Sequence, residues 1–460
     1  MANLNWNLAA VAEMSGGQLH GDPTVRITRA EIDSRQELND ALFVAIRGDR
    51  FDGHDFVRDA ATRGARAALV EELVPDLPMG QIVVRDTIAA LQSLSRGRRM
   101  EFQGPVVGIT GSSGKTTTRR LVHGILSQKY RTHQPQKNFN NHIGVPLTLL
   151  ALEPNHQACV LELGCSDFGE IETLTKISIP DIALVTNVGP AHLEKLGDLD
   201  GVARAKGELF AHSPRESTAV INLDDPRVAR MPTEPETRLT FGTGENGDVR
   251  LLRRIPSGLN GQKLALEING NPFECLIPLV GIHNGTNATA AIAVAVALGI
   301  EHGAIAAGLA GAGAEPGRLS LMPGPRESIL LDDTYNANPA SMQAAIRTAV
   351  ELGTTGRTIA VIGDMLELGR TSSQHHQNIG EFAAKEKVDI LVTFGTESIE
   401  TNKAAARAGL QKDKLFHVSS HAAAVKIVMD CVTSDDVVLI KGSRGMQMDL
   451  MVEQLKSEEG

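Results

Sequence analysis

The segment GITGSSGKTTT, residues 108–118, limits the fold more than any other stretch of the chain. Two glycines, Gly111 and Gly114, bracket Ser112 and Ser113, and Lys115, Thr116 and Thr117 follow directly. Glycines in that arrangement let backbone N–H groups face an anion, and a helix starting at the lysine adds its dipole. Such a loop works only between a strand and a helix. Both flanks read that way: PVVGIT is short, apolar and β-branched, and TTRRLVHGIL has helical spacing. These seven residues are the expected phosphate-binding set, with Lys115 on the terminal phosphates and Thr116 on Mg²⁺. The strict GxxxxGK[ST] spacing misses by one position, because Gly108 is followed by Ile109 where the first glycine belongs. A chance Gly-Ser turn is the plain alternative, and the strand–loop–helix context speaks against it. The loop does not say which chemistry its phosphate serves: transfer to a hydroxyl, a conformational switch, or activation of a carboxylate.

The chain around it divides into three textures, as expected for 460 residues, too many for one ordinary core. Residues 1–103 mix short apolar runs (ALFVAI, RAALVEE, QIVV) with Gly and Asp turns and read as a small α/β domain, ending in a helix over LQSLSRGRRMEF. Residues 104–315 alternate strand candidates (PVVGIT, ACVLEL, DIALVTN, TAVINL) with helices, the rhythm of a mainly parallel sheet. Within them, residues 240–280 lack helices and read as antiparallel hairpins with NG turns, followed by an Ala-rich helix over 284–299. Residues 316–460 repeat the βα rhythm more cleanly and predict a second doubly wound sheet, with a last helix over 445–457.

Bulk properties exclude several classes. A formal net charge of -10 argues against general nucleic-acid binding. The four scattered cysteines have no metal-ligand spacing and suggest reduced thiols. The most apolar run, ATAAIAVAVALGI, is too short for a bilayer span, and no basic n-region precedes an apolar stretch at the N-terminus. A cytoplasmic protein without membrane insertion is expected.

Several polar residues fall at strand ends, where an open parallel sheet places its ligand crevice. Glu162 closes CVLELG and is placed to bind Mg²⁺; a solvated strand end is the alternative. His192 follows another strand in TNVGPAHLEKLG and serves equally as a packing histidine. Lys206 in ARAKGELF, taken alone, reads as an exposed helix lysine. LLDDTYNANPASM offers Asp332, Asp333, Asn336 and Asn338 as a hydrogen-bonding crescent, or as turn and N-cap residues. GDMLELG, His376 and IKGSRGMQM lie on later strand ends, the last putting Lys441 and Arg444 at a site suited to a carboxylate or phosphate. EIDSRQ and IRGDRFDGHDF, with Ser34, Arg35, Arg47 and Gly48, serve equally as turns or as contacts to a phosphate-bearing ligand.

Taken in order, TGSSGKTTT, ELG, NVGPAHLEKLG, ARAKGELF, GIHNGTNATAA, PGRLS, DDTYNANPASM, IGDMLELG and KGSRGMQM resemble the Mur ligases, which build the peptide of bacterial cell-wall precursors. The resemblance covers essentially the whole chain. It implies an N-terminal domain for a UDP-sugar, a central P-loop ATPase and a C-terminal Rossmann-like domain that closes over the ATP site, open without substrates. YNANP with GDMLELG points to the member that joins D-Ala-D-Ala to UDP-N-acetylmuramoyl-tripeptide through an acyl phosphate; the DNPR signature of the preceding enzyme is absent. The resemblance further implies a carbamylated Lys206, with Glu162, His192 and Thr116 as its fellow Mg²⁺ ligands and Lys115 as a catalytic counter-charge. Asn284 and Arg318 would contact adenine and phosphate, and Asp333 or Asp332 the ribose. Asn336 and Asn338 would meet the dipeptide, and Ser34, Arg35, Arg47 and Gly48 the UDP-sugar. A monomer is expected, with meso-diaminopimelate expected over lysine as the third residue of the tripeptide. The chain departs from the family at His142, at Cys165–Phe168 in ELGCSDFGEI and at Asp40–Ala41. A folylpolyglutamate synthase-like ligase and a P-loop kinase or nucleotide-dependent binding protein are the other classes to be separated by test.

Overall fold

The run VVGIT forms a strand, β1 (Val106–Thr110), in a computed structural model that describes residues 4–48, 51–136, 138–353 and 355–456. It is followed by the loop and by helix α1 (Lys115–Leu126). On either side of β1, and parallel to it, lie β2 (Ala158–Glu162) and β3 (Ile182–Val185). The chain therefore leaves β1 toward one side of the sheet and returns to the other, which places the phosphate loop at a topological switch point. Helix α2 (Leu199–His212) covers one face, and the Ala-rich α3 (Ile282–Ala297) packs against α1 on the other. Apolar clusters bury both faces of the central parallel strands of this nine-stranded sheet, which is why they read as continuous apolar runs, whereas Gln262–Ile268 and Asn271–Ile277 bury one face and alternate.

The region expected as hairpins is partly so. Val249–Pro256, Gln262–Ile268 and Asn271–Ile277 pair antiparallel, and the last two meet at an Asn269–Gly270 turn with φ of 49° and 80°. Thr237–Gly242 differs: it extends the parallel sheet along Thr218–Asn222 and touches the first hairpin strand through two pairs only. Lack of an intervening helix misled the reading there, because a short loop carries the chain into a brief parallel contact.

In the C-terminal sheet, β4 (Ile329–Asp333), β5 (Thr358–Gly363) and β6 (Val437–Lys441) lie side by side in the order β4, β6, β5. The last strand is thus inserted between the first two parallel strands and pairs Lys441 with Asp333. Helix α4 (Pro339–Leu352) begins at an Asn338 capping box. The expected final helix is broken: a 3₁₀ turn, Arg444–Met446, precedes a helix confined to Asp449–Leu455, because Gln447 takes a left-handed φ of 49°.

The N-terminal region holds a five-stranded sheet, antiparallel at one edge and parallel elsewhere. Its closing helix, Thr87–Glu101, is tied to the central unit by the buried Arg99, which donates to Ser178 O, Ile179 O and Asp181. Among the described residues no helix is long and apolar enough to cross a membrane.

His133, on the edge strand beside β2, donates from Nε2 to Thr148 O at 2.9 Å. Burial, with His156 adding, pushes its pKa down to about 4. The unfolded chain then holds the extra proton between the ordinary histidine value and about 4, so stability falls as pH drops through that window. Thermal melts from neutral pH to pH 4 should show this fall, and His133→Gln should make it shallower. An unchanged slope would assign the acid sensitivity elsewhere.

Candidate active site

The phosphate loop can be built only from these glycines. Gly111 has φ 149° and Gly114 φ 79°, and a Cβ would fall 1.9 Å from Thr186 Oγ1 at the first and 2.4 Å from Asn287 Oδ1 at the second. The serines are clamped by the segment after β3. Ser112 Oγ donates to Gly189 O at 3.0 Å, and Ser113 N–H donates to Asn187 Oδ1 at 3.0 Å. Lys115 Nζ curls back to donate to Gly111 O at 2.7 Å. Desolvation, with the Lys206 ammonium adding to it, pulls Lys115 down to about 8, so nucleotide phosphates would stabilise a charge that the cleft disfavours.

Beneath the loop sits Glu162, 3% exposed, whose position opposite Ile109 in the β2–β1 register fixes it there. It accepts from Thr116 Oγ1 at 2.8 Å and from Asn140 Nδ2 at 2.9 Å. Burial opposes its charge, but Lys115, Arg318 and these two hydrogen bonds outweigh it and hold the carboxyl below the usual range. Behind it, Arg119 Nε lies 3.9 Å from Glu162 Oε2.

A cleft of about 680 Å³ opens over this floor, a volume suited to a nucleotide-sized ligand. From the central unit it is lined by Ser112, Ser113, Gly114, Lys115, Thr116, Thr117, Glu162, His192 and Asn284. Across it stand Arg318, Asp333, Asn336, Asn338 and Lys441, so the two sheets share one site. The Arg318 guanidinium stacks 3.9 Å from the Tyr335 ring centroid. Lys441 Nζ donates to Asp333 Oδ2 at 2.6 Å and to Asn336 O at 2.8 Å.

Other expected residues fall elsewhere. Asp332 is buried and its carboxylate accepts from Gly317 N and from the Thr334 backbone and hydroxyl, so of the aspartate pair only Asp333 reaches the cleft. Asn338 Oδ1 accepts from Ser341 N, capping α4 while the residue lines the wall. Arg444 is turned outward, 64% exposed and paired with Asp449, and does not line the cleft, because the 3₁₀ turn rotates it away from Lys441. His376 is buried; its Nε2 accepts from Met365 N–H and its Nδ1 donates to Ser372 O, so it shapes the GDMLELG loop. Ser34, Arg35, Arg47 and Gly48 lie on the N-terminal unit outside the cleft, with Arg35 paired to Asp33 and Arg47 to Asp52.

Lys206 contradicts its reading as an exposed helix lysine. It is 2% exposed on α2, and its Nζ donates to Cys165 Sγ at 2.9 Å; Cys165 in turn faces the cleft. His192 has its Nδ1 2.7 Å from Glu367 Oε2 of the facing sheet. Desolvation and the Lys206 and Lys115 ammoniums pull the imidazole below its ordinary pKa, against the carboxylate.

Among the described residues no group of three His, Cys, Asp or Glu side chains is arranged to hold a metal ion. Mg²⁺ needs no such cage, since one or two carboxylates with substrate phosphates suffice. The buried Thr116–Glu162 pair under the phosphate loop fits that chemistry. Sequence reasoning passed over Asn140, Asn187, Arg119, Tyr335 and Glu367 as individual residues. Asn187, Tyr335 and Glu367 lay inside motifs it had singled out, whereas Asn140 and Arg119 carried no signal beyond adjacency to one.

Asp333→Ala should mainly raise KM for ATP, with kcat less affected, as steady-state kinetics against each substrate would reveal. A change confined to the dipeptide KM would move Asp333 to the acceptor side.

The fold and the site define a nucleotide-binding enzyme of three α/β units, with the phosphate loop of one facing the polar crescent of the next. Three family descriptions match along the chain: Mur ligase family, catalytic domain, over residues 26–98; Mur ligase middle domain over 109–295; and Mur ligase, glutamate ligase domain, over 317–444. The chain is 36% identical to the UDP-N-acetylmuramoyl-tripeptide--D-alanyl-D-alanine ligase of Bacillus subtilis, over 97% of both chains. It superposes on MurF from Acinetobacter baumannii with a TM-score of 0.90 at 33% identity over 99% of both chains. It also superposes on the MurF ligase of Thermotoga maritima in complex with ADP, with a TM-score of 0.82 at 30% identity over 92% of this chain and 96% of that one. The chain belongs to the Mur ligase family.

Proposed function

We propose that the protein joins D-Ala-D-Ala to the terminal carboxylate of UDP-N-acetylmuramoyl-tripeptide at the expense of ATP, in peptidoglycan precursor synthesis. One observation carries the reading: the phosphate loop and the Asp333–Asn338 crescent, from different domains, line a single cleft. The relatives bearing that activity match this chain nearly end to end.

In this reading a carboxylate oxygen of the tripeptide attacks the γ-phosphorus of ATP and ADP departs, leaving an acyl phosphate. The dipeptide amine then adds to the carbonyl carbon, and the tetrahedral intermediate expels phosphate to leave the amide. Ser112, Ser113 and the α1 N-terminus hold the phosphates, and Lys115 neutralises charge that develops on the transferred group. Mg²⁺, held by Thr116 and Glu162 with His192 and a carbamylated Lys206 nearby, would supply Lewis-acid charge stabilisation. Carbamylation turns Lys206 from a buried cation beside Lys115 into an anion, relieving the repulsion that the unmodified pair creates. Asn284, Arg318 and Asp333 form the nucleoside end, and Asn336, Asn338 and Lys441 the acceptor end. Ser34, Arg35, Arg47 and Gly48 hold the UDP-sugar on the N-terminal domain. We divide the chain at 103/104 and 315/316, place it in the cytoplasm as a monomer, and expect meso-diaminopimelate in the tripeptide.

The test is phosphate release from ATP with the UDP-tripeptide and D-Ala-D-Ala supplied singly and together. Release that needs both, with the mass of the UDP-pentapeptide appearing, is the expected result. Release without either, or with glutamate and a folate instead, would overturn it.

A further inference from the structure

The GDMLELG segment has no role in the chemistry above, yet its Glu367 reaches across to the central domain. Glu367 Oε2 lies 2.7 Å from Nδ1 of His192. Both residues hold left-handed backbone, with φ of 64° and 52°. A histidine is an occasional visitor there, whereas a glutamate needs its surroundings to keep it in place. The surroundings do so. Gly369, also at positive φ, brings the segment within ordinary contact of the chain two residues after His192: a Cβ on it would lie 3.7 Å from Glu194 Cα. A second tie between the two domains, Arg254 to Glu351, is bidentate. The contact therefore does not rest on two long side chains that happen to meet.

Energetics point to orientation rather than stability. The side chains are 34% and 61% exposed, and even a fully charged pair that exposed contributes little to folding. Its consequence is chemical. A carboxylate on Nδ1 keeps the proton there, fixes the ring plane and leaves Nε2 as the nitrogen presented to the cleft. We propose that Glu367 is a positioning residue for phosphoryl transfer: from the C-terminal domain it sets the tautomer and orientation of His192, so the phosphate end of the cleft is complete only while the two domains are apposed. This rests on the ligase reading, in which His192 serves the phosphate end.

The experiment uses the full chain with Glu367→Ala, Glu367→Gln, His192→Ala and the Ala/Ala double variant. Loss of an outer partner of this kind should lower kcat about 10- to 100-fold in Glu367→Ala, with KM for ATP changed less than about twofold. Glu367→Gln, whose amide oxygen still accepts from Nδ1–H, should recover most of the activity. The double variant should be no slower than His192→Ala, since the glutamate acts through the histidine. A readout independent of turnover is the ¹⁵N spectrum of labelled histidine, with the His192 signal assigned by its absence in His192→Ala. That signal should report an Nδ1–H tautomer in the parent protein and in Glu367→Gln, and a mixed tautomer in Glu367→Ala. Parent-like kcat in Glu367→Ala, additive losses, or an unaltered ring signal would each overturn the proposal. If the parent protein failed to ligate while the ring signal still shifted, the ligase reading would fall and the positioning contact would stand.

Discussion

Lys115→Ala should lower the ligation rate by at least about 10³-fold, because removing one preorganised counter-charge from a desolvated site typically costs about 10²–10³ and this one faces the transferred phosphoryl group directly. The geometry leaves little to replace it. Lys115 starts α1, and its Nζ already folds over the loop onto Gly111 O. Among the described residues, Arg318, which also acts on Glu162, is stacked on Tyr335, and Arg119 sits behind the carboxylate at 3.9 Å. Steady-state phosphate release with both peptide substrates measures the effect, and a melting curve checks that the variant folds. Activity within tenfold of the parent would remove Lys115 from the transfer step and with it the assignment of the loop.

The second large effect is expected at Lys206. Lys206→Ala should reduce turnover by about 10²-fold or more, and added short carboxylates such as formate or acetate should partly restore it. The reason lies in the burial. An ammonium at 2% exposure whose donor meets a thiol at 2.9 Å, and which lies close enough to Lys115 to lower that lysine's pKa, is an unfavourable arrangement unless the lysine is modified. Addition of CO₂ to the neutral amine gives an N-carboxylate, which reverses the sign of the charge. A ¹³C signal appearing when the protein is equilibrated with ¹³C-bicarbonate, and missing from the folded Lys206→Ala variant, would identify the carbamate. Absence of that signal from the active parent protein would rule it out. Lys206→Met, close in volume to lysine, separates loss of the carboxylate from loss of packing: it should be as slow as the alanine variant if chemistry is the cause.

Legibility varied with the range of the interaction. The phosphate loop was readable because its requirements are local: glycines at 111 and 114, a β-branched run before them and helical spacing after. The two doubly wound units were readable because burial of both sheet faces writes short continuous apolar runs into the chain. The parallel placement of Thr237–Gly242 was not, because a short connection ordinarily signals a hairpin. The left-handed Gln447 was not either: it separates the 3₁₀ turn Arg444–Met446 from the last helix, and Arg444, expected at the strand-to-helix turn beside Lys441, is turned outward there.

Roles of single polar side chains divided in the same way. Asn338 as a cap and Asp332 as a turn residue were open alternatives in the sequence, and both are hydrogen bonds within a few residues. Lys206 could not be told from an exposed helix lysine by its own neighbours, because what buries it is the packing of α2 beside Cys165, 41 residues away.

By itself the sequence determined the local geometry: a strand, an anion-binding loop and a helix in that order, the rhythm of the sheets and the motifs that resemble one family. Backbone conformation and the spacing of apolar residues are short-range properties, and each leaves its mark within a few positions. Tertiary structure alone decided which charges meet. The return of β6 between β4 and β5 brings Lys441 to Asp333 across 108 residues, and the apposition of two domains brings Glu367 to His192. Neither partner carries a local signature of the other. Their meeting depends on strand order and domain packing, which follow from the burial of whole sheet faces rather than from any one stretch of chain.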